Sequence, residues 1–386
     1  MSRLEDYEWM LRYLKILDPI NAKIIEGLGK HDPRNLFSLA KKIGLPPTTL
    51  AFRVKRLLNE GFLRIGAKLN LPKLGLMKAV LIADANRRHE ETLLKVIENV
   101  GYWSYIARCY GKFNGFYALF SFPTEYKTAL EDYFEKVNRL GAISNFVLSW
   151  TTNVFEVAPN FEWFDFKHKA WNFPWQKWVS EVLRSSERLP KHLADPKSYE
   201  VEVDFKDLLI LKELEKNGLE NFTQLAKVVK ITPQGVRHRF HQHVAKRNLI
   251  AGYDIAIFPY PLQASDLCAF IFDFPNEHAL AKFAHSLIDK PFVVSYAKVI
   301  GKNSLLVNFY VPKTEFSNFL TSLNSLTVEE IIQDFMYVFV DIPSFKRQTV
   351  SYEYFHEGRW VYDHAEQIKK LTKMIPLKLK AHASSQ

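Results

Sequence analysis

The chain of 386 residues contains the same pattern twice, 186 positions apart. Without a gap, this shift places Asp18 on Asp204 and Arg53 on Arg239, and it repeats a Leu-Ala-Lys tripeptide. Agreement over about four dozen positions is rare by chance, and an internal repeat is typical of a repeated structural unit. The chain is therefore expected to contain two copies of one fold.

The repeated segment begins with the pattern of a helix-turn-helix. Residues 36–43 place apolar side chains at positions i, i+3, i+4 and i+7, which predicts a short amphipathic helix that ends at Gly44. Pro46 and Pro47 are tolerated only at the start of a helix, so a second helix is expected from Pro47 to about Asn59. A helix, a tight turn and a basic second helix are typical of proteins whose second helix enters the DNA major groove.

The second copy has the stronger helix-start signal, with Thr232 as a natural N-cap and Pro233 at the first helical position. Outward residues of the two second helices are the candidate DNA-binding residues, since side chains there reach base edges and phosphates. Arg53 and Arg239 are expected to point outward, and an inward-facing Arg53 or Arg239 would overturn the interpretation that the chain binds DNA as a regulator. The full candidate set is Thr48, Thr49, Phe52, Arg53, Lys55, Arg56, Gln234, Arg237, His238, Arg239 and His241.

Positive charge is concentrated in the two copies. Residues 34–68 hold eight Lys or Arg and one Glu, and residues 222–254 hold six Lys or Arg and one Asp. Because the whole chain has a net charge of +10, the remainder is close to neutral. Two basic units on a near-neutral body are the electrostatic footprint of a protein that binds double-stranded DNA. Solvated helix faces are the simpler alternative.

Each helix-turn-helix is followed by the pattern of a different domain. Residues 63–70 alternate apolar and polar side chains, which predicts a wing strand. Residues 78–155 and 267–342 then each show the order βαββαβ, which is typical of a ferredoxin-like sandwich. The predicted fold class is α+β, with two tandem copies of a winged helix-turn-helix followed by a ferredoxin-like βαββαβ sandwich.

Aromatic residues cluster after each sandwich, and four of the eight tryptophans lie between positions 163 and 178. We expect these rings to pack an extension onto a sheet or a neighbouring domain rather than to stack on bases. The predicted domains are a winged helix-turn-helix with a leading helix (1–71), a ferredoxin-like domain (72–160), an aromatic appendix and linker (161–199), a second winged helix-turn-helix (200–259), a second ferredoxin-like domain (260–345) and an aromatic appendix with a basic C-terminal helix or tail (346–386).

Cys109 and Cys268 are the two cysteines, and both lie in apolar, strand-like runs. Two cysteines exclude a disulfide framework, so they are expected to be buried free thiols in a reducing compartment. The N-terminal sequence is charged throughout, and no apolar run approaches about 18 residues. These features predict a cytoplasmic protein with no membrane partner.

Residues 47–62 and the more divergent residues 232–250 resemble the recognition helices of the Lrp/AsnC family of bacterial and archaeal transcription regulators. In that family a winged helix-turn-helix is followed by a βαββαβ effector domain. The resemblance therefore implies transcription regulation through double-stranded DNA, and we expect no cofactor. Family members usually carry one copy per chain and pair through their sandwich domains. This chain looks like a fused pseudo-dimer, and a further homodimer is left open. Because its two recognition helices differ, the DNA operator is expected to be an imperfect palindrome.

The resemblance also implies an effector site in the central hairpin of each sandwich. The family has a glycine followed by acidic positions there, whereas lysine and asparagine follow the glycines of this chain. Two alternatives to amino-acid sensing are therefore left open: an anionic small-molecule effector, or no effector. The candidate effector-binding residues are Gly111, Lys112, Asn114, Gly301, Lys302 and Asn303.

Two alternative functions are left open. Siroheme decarboxylases also look like paired Lrp-type halves and bind a tetrapyrrole between their sandwich domains. However, residues 108–110 and 299–300 lack the histidines expected of such a pocket. The other alternative is an architectural or protein-interaction module whose second helix-turn-helix is degenerate, because His241 and Gln242 replace the Lys–Arg pair of the first copy.

The sequence predicts neither an enzyme nor a metal site. His238, His241 and His243 lie close together, but no carboxylate or thiol is found at metal-ligand spacing from them. His364 and Glu366 match the H-x-E motif of zinc deaminases. The sequence lacks the P-C-x-x-C motif that must accompany it, so a deaminase zinc site is not predicted. Phosphate loops and the G-x-G-x-x-G, H-E-x-x-H and G-x-S-x-G motifs are absent from the sequence.

Overall fold

The computed structural model describes residues 11–86 and 89–375, so the first ten residues of the predicted leading helix and the predicted tail from residue 376 onward lie outside the described residues. The first helix-turn-helix and its strand form as predicted and are called head 1. Asp18 caps the helix that begins at Pro19 by accepting a 2.7 Å hydrogen bond from the Asn21 N–H, and Gly44 ends the helix after it in the left-handed conformation at φ 68°. Head 1 consists of residues 11–16 (α1), Pro19–Lys30 (α2), Leu36–Ile43 (α3), Pro47–Asn59 (α4) and Arg64–Leu69 (β1).

The first sheet-and-helix domain, called platform 1, follows head 1. On its first strand Leu81 packs with the helices while Val80 and Ile82 face the other side, which is the alternation of a strand. The strand predicted at 143–155 is interrupted, because the Thr152 N–H donates to the Lys298 carbonyl of the second half at 2.9 Å. Platform 1 consists of Leu76–Ala85 (β2), Glu90–Asn99 (α5), Trp103–Gly111 (β3), Gly115–Pro123 (β4), Lys127–Arg139 (α6), Ile143–Thr151 (β5) and Phe155–Glu156 (β6).

An aromatic segment, appendix 1, separates platform 1 from the second helix-turn-helix, which is called head 2. Thr232 caps the second recognition helix by accepting from the Gly235 N–H at 3.1 Å, and that helix continues into a π-helical turn at Phe240–Ala245. Appendix 1 contains Phe164–Asp165 (β7), Ala170–Trp171 (β8) and Trp175–Arg184 (α7), and head 2 contains Phe205–Lys216 (α8), Phe222–Val229 (α9), Pro233–Arg239 (α10) and Ile250–Ala256 (β9).

The remaining elements form platform 2 and appendix 2, in the order seen in the first half. Platform 2 consists of Ser265–Asp273 (β10), Glu277–Leu287 (α11), Val293–Lys298 (β11), Ser304–Pro312 (β12), Phe316–Val328 (α12) and Asp334–Val340 (β13). Appendix 2 consists of Lys346–Arg347 (β14), Phe355–His356 (β15), Arg359–Trp360 (β16) and His364–Met374 (α13).

The two platforms join edge to edge. Their strand orders are β5-β2-β4-β3 and β13-β10-β12-β11, both antiparallel. At one junction β3 pairs with β13, with Tyr110 opposite Phe339. At the other, β6 pairs with β11, with Glu156 opposite Ser295. Each platform therefore supplies pairing partners for an edge strand of the other.

The sheet faces that carry no helices share one apolar core. Val80 and Ile82 of platform 1 pack there with Leu306 and Val338 of platform 2, and each is at most 2% exposed. Since this packing excludes water, the two platforms share buried apolar surface and are expected to be stable together.

Each appendix packs on the platform of the other half. Helix α7 contacts α11 and α12 of platform 2, where Trp178 is fully buried. Helix α13 contacts α5 and α6 of platform 1, and Trp360 Nε1 donates to the Leu74 carbonyl at 2.6 Å. The aromatic rings therefore serve packing, and they link the halves reciprocally. In the part of the chain that the structure describes, no helix combines the length and apolar character needed to cross a membrane.

Candidate nucleic-acid interface

Helix α4 presents one polar and cationic face to solvent. Leu50 and Val54 are buried beneath the helix, so the opposite face is left for a partner. Arg56 pairs with Glu60 at 2.6 Å, but this i,i+4 pair is solvent-exposed and weak, so the guanidinium remains available. Of the predicted DNA-binding residues of head 1, Thr48, Phe52, Lys55 and Arg56 are exposed on this face and Thr49 is half-buried.

Arg53 does not lie on the outward face. Its Nη1 donates to Asp18 Oδ2 at 2.7 Å and to Asn21 Oδ1 at 3.0 Å, and 26% of its side chain is accessible. The prediction that Arg53 points outward is wrong. Residue 53 directly precedes the buried Val54, at the border of the apolar stripe, and from there its side chain reaches the carboxylate that caps α2.

Arg239 makes the matching contacts in head 2. Its Nη1 lies 2.6 Å from Asp204 Oδ2 and 2.7 Å from Asp207 Oδ1, and Asp207 is fully buried. Burial acts to lower the pKa of Arg239, but the two carboxylates outweigh it and raise the pKa. The outward prediction is therefore wrong for Arg239 as well. Inward-facing arginines were expected to overturn DNA binding, but that criterion assumed that these two residues are the cationic contacts, and Lys55, Arg56 and Arg237 remain exposed. The repeated Asp–Arg pair holds α4 against the start of α2 in head 1 and α10 against the start of α8 in head 2.

His243 lies beside this ion pair. It is one of the three histidines for which the sequence predicted no carboxylate partner. Its Nδ1 is 3.4 Å from Asp207 Oδ2, and one ligand atom each of Asp204, Asp207 and His243 fall within 4.8 Å of one another. The statement that no carboxylate partner is available is wrong for His243, because the partners come from another helix. Arg239 already neutralises both carboxylates, so the geometry is that of an ion-pair network.

Head 2 presents a less cationic recognition surface than head 1. Gln234, Arg237, His238 and His241 are exposed there, as predicted for outward residues. From Phe240 onward the α-helix gives way to the π-helical turn, which shifts the side chains that follow relative to those of α4.

The two heads are joined to each other. Strands β1 and β9 pair antiparallel, with Ala67 opposite Tyr253. Arg34 of head 1 donates to the Gly218 carbonyl at 2.7 Å and to the Glu220 carbonyl at 2.9 Å, and it stacks over Phe240 with 4.9 Å between Cζ and the ring centroid. Sequence reasoning missed this role of Arg34, because its partners lie in the second copy and no spacing rule links them.

The predicted effector hairpins lie at the junctions between the platforms. Gly111 has a positive φ of 116° and pairs with Val338 of platform 2. The Gly301 N–H faces Asp195 Oδ2 at 3.4 Å. Lys112, Asn114, Lys302 and Asn303 are exposed, so their role as effector ligands stays a prediction.

Neither cysteine is suited to nucleophilic chemistry. Both are free and buried, as predicted. Burial raises the pKa of the Cys109 thiol to about 12 and also raises the pKa of Cys268. Both thiols are therefore protonated at neutral pH.

The N-terminal region matches known DNA-binding domains. Residues 17–64 match the family model described as winged helix-turn-helix DNA-binding. A stretch of 63 residues is 38% identical to an uncharacterized HTH-type transcriptional regulator of Pyrococcus horikoshii, and one of the same length is 40% identical to such a regulator of Pyrococcus furiosus. Each match covers 16% of this chain and 42% of the relative, so the chain spans less than half of the curated relatives it matches.

Similarity over nearly the whole chain is found with a solved enzyme structure. The crystal structure of the siroheme decarboxylase NirDL covers 92% of this chain and 98% of its own, with a TM-score of 0.50 and 12% identity, which shows a shared fold. A transcriptional regulator of Neisseria meningitidis solved with L-Met covers 38% of this chain and 95% of its own at 25% identity and a TM-score of 0.32. The chain is thus an α+β protein with a winged helix-turn-helix of the DNA-binding type at residues 17–64.

Proposed function

We propose that the chain is a transcription regulator that binds double-stranded DNA through two unequal heads on one fused pseudo-dimer. The observation that supports it most is the surface of α4, in a segment that matches winged helix-turn-helix DNA-binding domains. Thr48 lies at the start of the helix, where side chains and backbone N–H groups reach base edges or phosphates. Lys55 and Arg56 supply phosphate contacts. Phe52, 69% exposed, offers an apolar contact for a thymine methyl group.

The link between the heads supports their acting as one unit. The β1–β9 pairing and the Arg34 contacts fix the spacing of the two recognition helices. A fixed spacing favours two half-sites on one face of the duplex. Because the exposed residues of α4 and α10 differ, the two half-sites are expected to differ as well.

Salt dependence of DNA binding separates cations that touch phosphate from cations that hold the fold. The full chain and the variants Lys55→Ala, Arg56→Ala and Arg53→Met are titrated with a random duplex by fluorescence anisotropy over a range of salt concentrations. We expect Lys55→Ala and Arg56→Ala each to lower the salt slope by about one unit. Arg53→Met should leave the slope unchanged and lower the thermal midpoint of the protein, since its guanidinium is held by Asp18 and Asn21.

The controls decide between the outcomes. Lys177→Ala removes an exposed cation from appendix 1 and should change neither quantity. Absence of salt-dependent duplex binding by the full chain would refute the proposal. Unchanged slopes in both Lys55→Ala and Arg56→Ala would remove α4 as the contact surface.

A tetrapyrrole enzyme is the second candidate, supported by the fold shared with siroheme decarboxylase. Against it, the region between the platforms is filled by apolar side chains such as Val80, Ile82 and Leu306. Mixing the protein with a carboxylated iron porphyrin gives a direct comparison. A saturable Soret shift, together with no binding of DNA by the full chain in the anisotropy titration, would favour the enzyme.

A further inference from the structure

The linker between α7 and head 2, residues 185–203, crosses platform 2 and is fixed to it. Leu193 is fully buried in the core of platform 2. The His192 ring stacks on Phe155 with 4.2 Å between the ring centroids, and its Nε2 lies 3.0 Å from the Tyr296 hydroxyl oxygen. Because a side chain buried in a core anchors its backbone, this part of the linker packs as an element of platform 2.

Beyond Leu193, the linker places a carboxylate on the hairpin that joins β11 and β12. Lys298 Nζ donates to Asp195 Oδ1 at 2.8 Å. The Gly301 N–H donates to Asp195 Oδ2 at 3.4 Å, the longer and weaker of the two contacts. An ammonium group and a backbone N–H therefore hold the two oxygens of one carboxylate, and the same donors suit a carboxylate ligand.

The cation of this site is built into the sheet, whereas the carboxylate comes from the linker. Lys298 is the last residue of β11 and is 6% exposed. Among residues 11–86 and 89–375, Asp195 supplies the only carboxylate within 4.0 Å of the Lys298 Nζ. Burial of an ammonium group without an anionic partner is costly, so this position requires an anion. The Asp195 side chain is 41% exposed, so its place can be reached from solvent.

The matching hairpin of platform 1 pairs its cation differently. Arg108 stands three residues before Gly111, as Lys298 does before Gly301. The Arg108 side chain is 46% exposed, and its Nη2 lies 3.3 Å from Glu90 Oε2 on α5 of the same platform. Platform 1 therefore supplies the carboxylate from its own helix, while platform 2 receives it from the linker.

We propose that the β11–β12 hairpin binds a small carboxylate, with Lys298 as its charged contact and the Gly301 N–H as its second donor, and that the linker occupies this site through Asp195. The aspartate carboxylate is carried on a single carbon, as in acetate, so a free carboxylate can form the same two contacts. Asp195 is attached to the chain and competes at an effective concentration on the order of millimolar. A free ligand must therefore displace Asp195 to bind.

Displacement of Asp195 would change the connection between platform 2 and head 2. Asp204 caps α8, the first helix of head 2, and just before it the Glu202 N–H donates to the Lys73 carbonyl at 2.9 Å. The segment between Leu193 and Glu202 is therefore the part that would detach. Because the ligand and Asp195 exclude each other, ligand binding favours the detached linker. The inference concerns the free protein and does not rest on DNA binding.

Replacement of the aspartate carboxylate by a free carboxylate tests the inference. The full chain with Asp195→Ala is heated while sodium chloride is exchanged for sodium acetate or formate at constant ionic strength. We expect Asp195→Ala to lower the thermal midpoint, because Lys298 loses its anion. Acetate and formate should each raise the midpoint in a saturable manner, and acetate should slow hydrogen exchange of the Gly301 N–H. Wild type should need at least a tenfold higher acetate concentration for half-saturation, because Asp195 competes.

Hydrogen exchange of the wild-type linker gives a second measurement, which needs no variant. If acetate displaces Asp195, it should speed the exchange of residues 194–200 relative to the same concentration of chloride. In Asp195→Ala these residues should exchange rapidly with or without acetate. Acetate that raises the midpoint of wild type without speeding this exchange would show binding at another place and would overturn the inference.

Two further variants show whether a response comes from this site. The double variant Asp195→Ala/Lys298→Met lacks the cation and should not respond to acetate, and neither should Glu90→Ala, which removes the partner of Arg108. The inference is overturned if acetate and formate give Asp195→Ala no saturable gain in midpoint, or if the double variant gains equally. An equal half-saturating concentration for wild type and Asp195→Ala would show that Asp195 does not occupy the site. None of these outcomes bears on whether α4 binds DNA.

Discussion

Among the described cationic residues of the two heads, some hold elements together and others are exposed. Arg34, Arg53 and Arg239 are bound to carbonyls or carboxylates of other elements, whereas Lys55 and Arg237 are exposed. The partner of Arg53 lies 35 positions away on another helix. Helical periodicity places a residue on a face but does not show which neighbour a long side chain reaches.

Glu215 should make the stability of the protein depend on pH. Burial raises its pKa from the usual 4.5 to about 7, so its contribution to folding stability is fully present below pH 4.5 and is lost as the pH rises through 7. Glu215→Gln still accepts the hydrogen bond from the Val350 N–H and removes the titration. At pH 8 it should be more stable than wild type by about 1–3 kcal/mol, and the difference should be much smaller at pH 5. Urea unfolding at both pH values measures this.

The control for that comparison is Glu135→Gln, which changes an exposed carboxylate on α6. It should show no such pH-dependent difference. A stability gain of Glu215→Gln that is the same at pH 5 and pH 8 would show that the Glu215 carboxyl group is not strained by burial.

Among the elements, the appendices show most clearly how far contacts reach across the chain. Trp175 of α7 donates through Nε1 to Glu315 of platform 2 at 2.8 Å. In the other direction, the Tyr102 hydroxyl of platform 1 donates to the Val361 carbonyl of appendix 2 at 2.7 Å. Each appendix therefore covers helices that do not belong to its own half, and neither half completes its core alone.

Removal of the Trp178 ring should destabilise platform 2, although Trp178 belongs to the first half. The side chain is fully buried among Phe283, Phe292 and Phe319, and truncation of a buried aromatic ring costs about 3–5 kcal/mol. We expect Trp178→Ala to speed hydrogen exchange of α11 and α12 more than that of α5 and α6. Trp178→Phe keeps most of the ring and should have a smaller effect, and Lys177→Ala on the same helix serves as the exposed control. Faster hydrogen exchange confined to platform 1 would contradict the packing of appendix 1 on platform 2.

For the whole molecule, the decisive feature is that the four large units are held in one arrangement. The platforms pair at both edges, each appendix packs on the platform of the other half, and β1 pairs with β9. The heads are therefore not independent domains on flexible tethers, and if both bind DNA, their spacing on it should be fixed.

Hydroxyl-radical footprinting should show this spacing. If both heads bind, two protected segments should be separated by about one helical turn of DNA, roughly 34 Å, or by a multiple of it. Arg237→Ala should weaken protection of one segment, and Lys55→Ala should weaken protection of the other. A single protected half-site would show that head 2 has lost DNA binding, as its π-helical turn and the histidine at position 241 suggest.

The sequence by itself determined the elements and their order. Helix starts at Pro47 and Pro233, the end at Gly44 and the strand alternation of β2 all follow from local rules of backbone geometry and periodicity. The repeat added the expectation of two similar halves. Local rules act over a few residues, and for that reason they were reliable here.

The tertiary structure alone decided which charged groups are free. The Asp–Arg pairs, the Arg34 bridge and the surroundings of Glu215 all bring together residues that are distant in sequence. Their properties arise from burial and from neighbours brought together by packing, since desolvation and charge pairing depend on distance in space. No spacing along the chain encodes that distance.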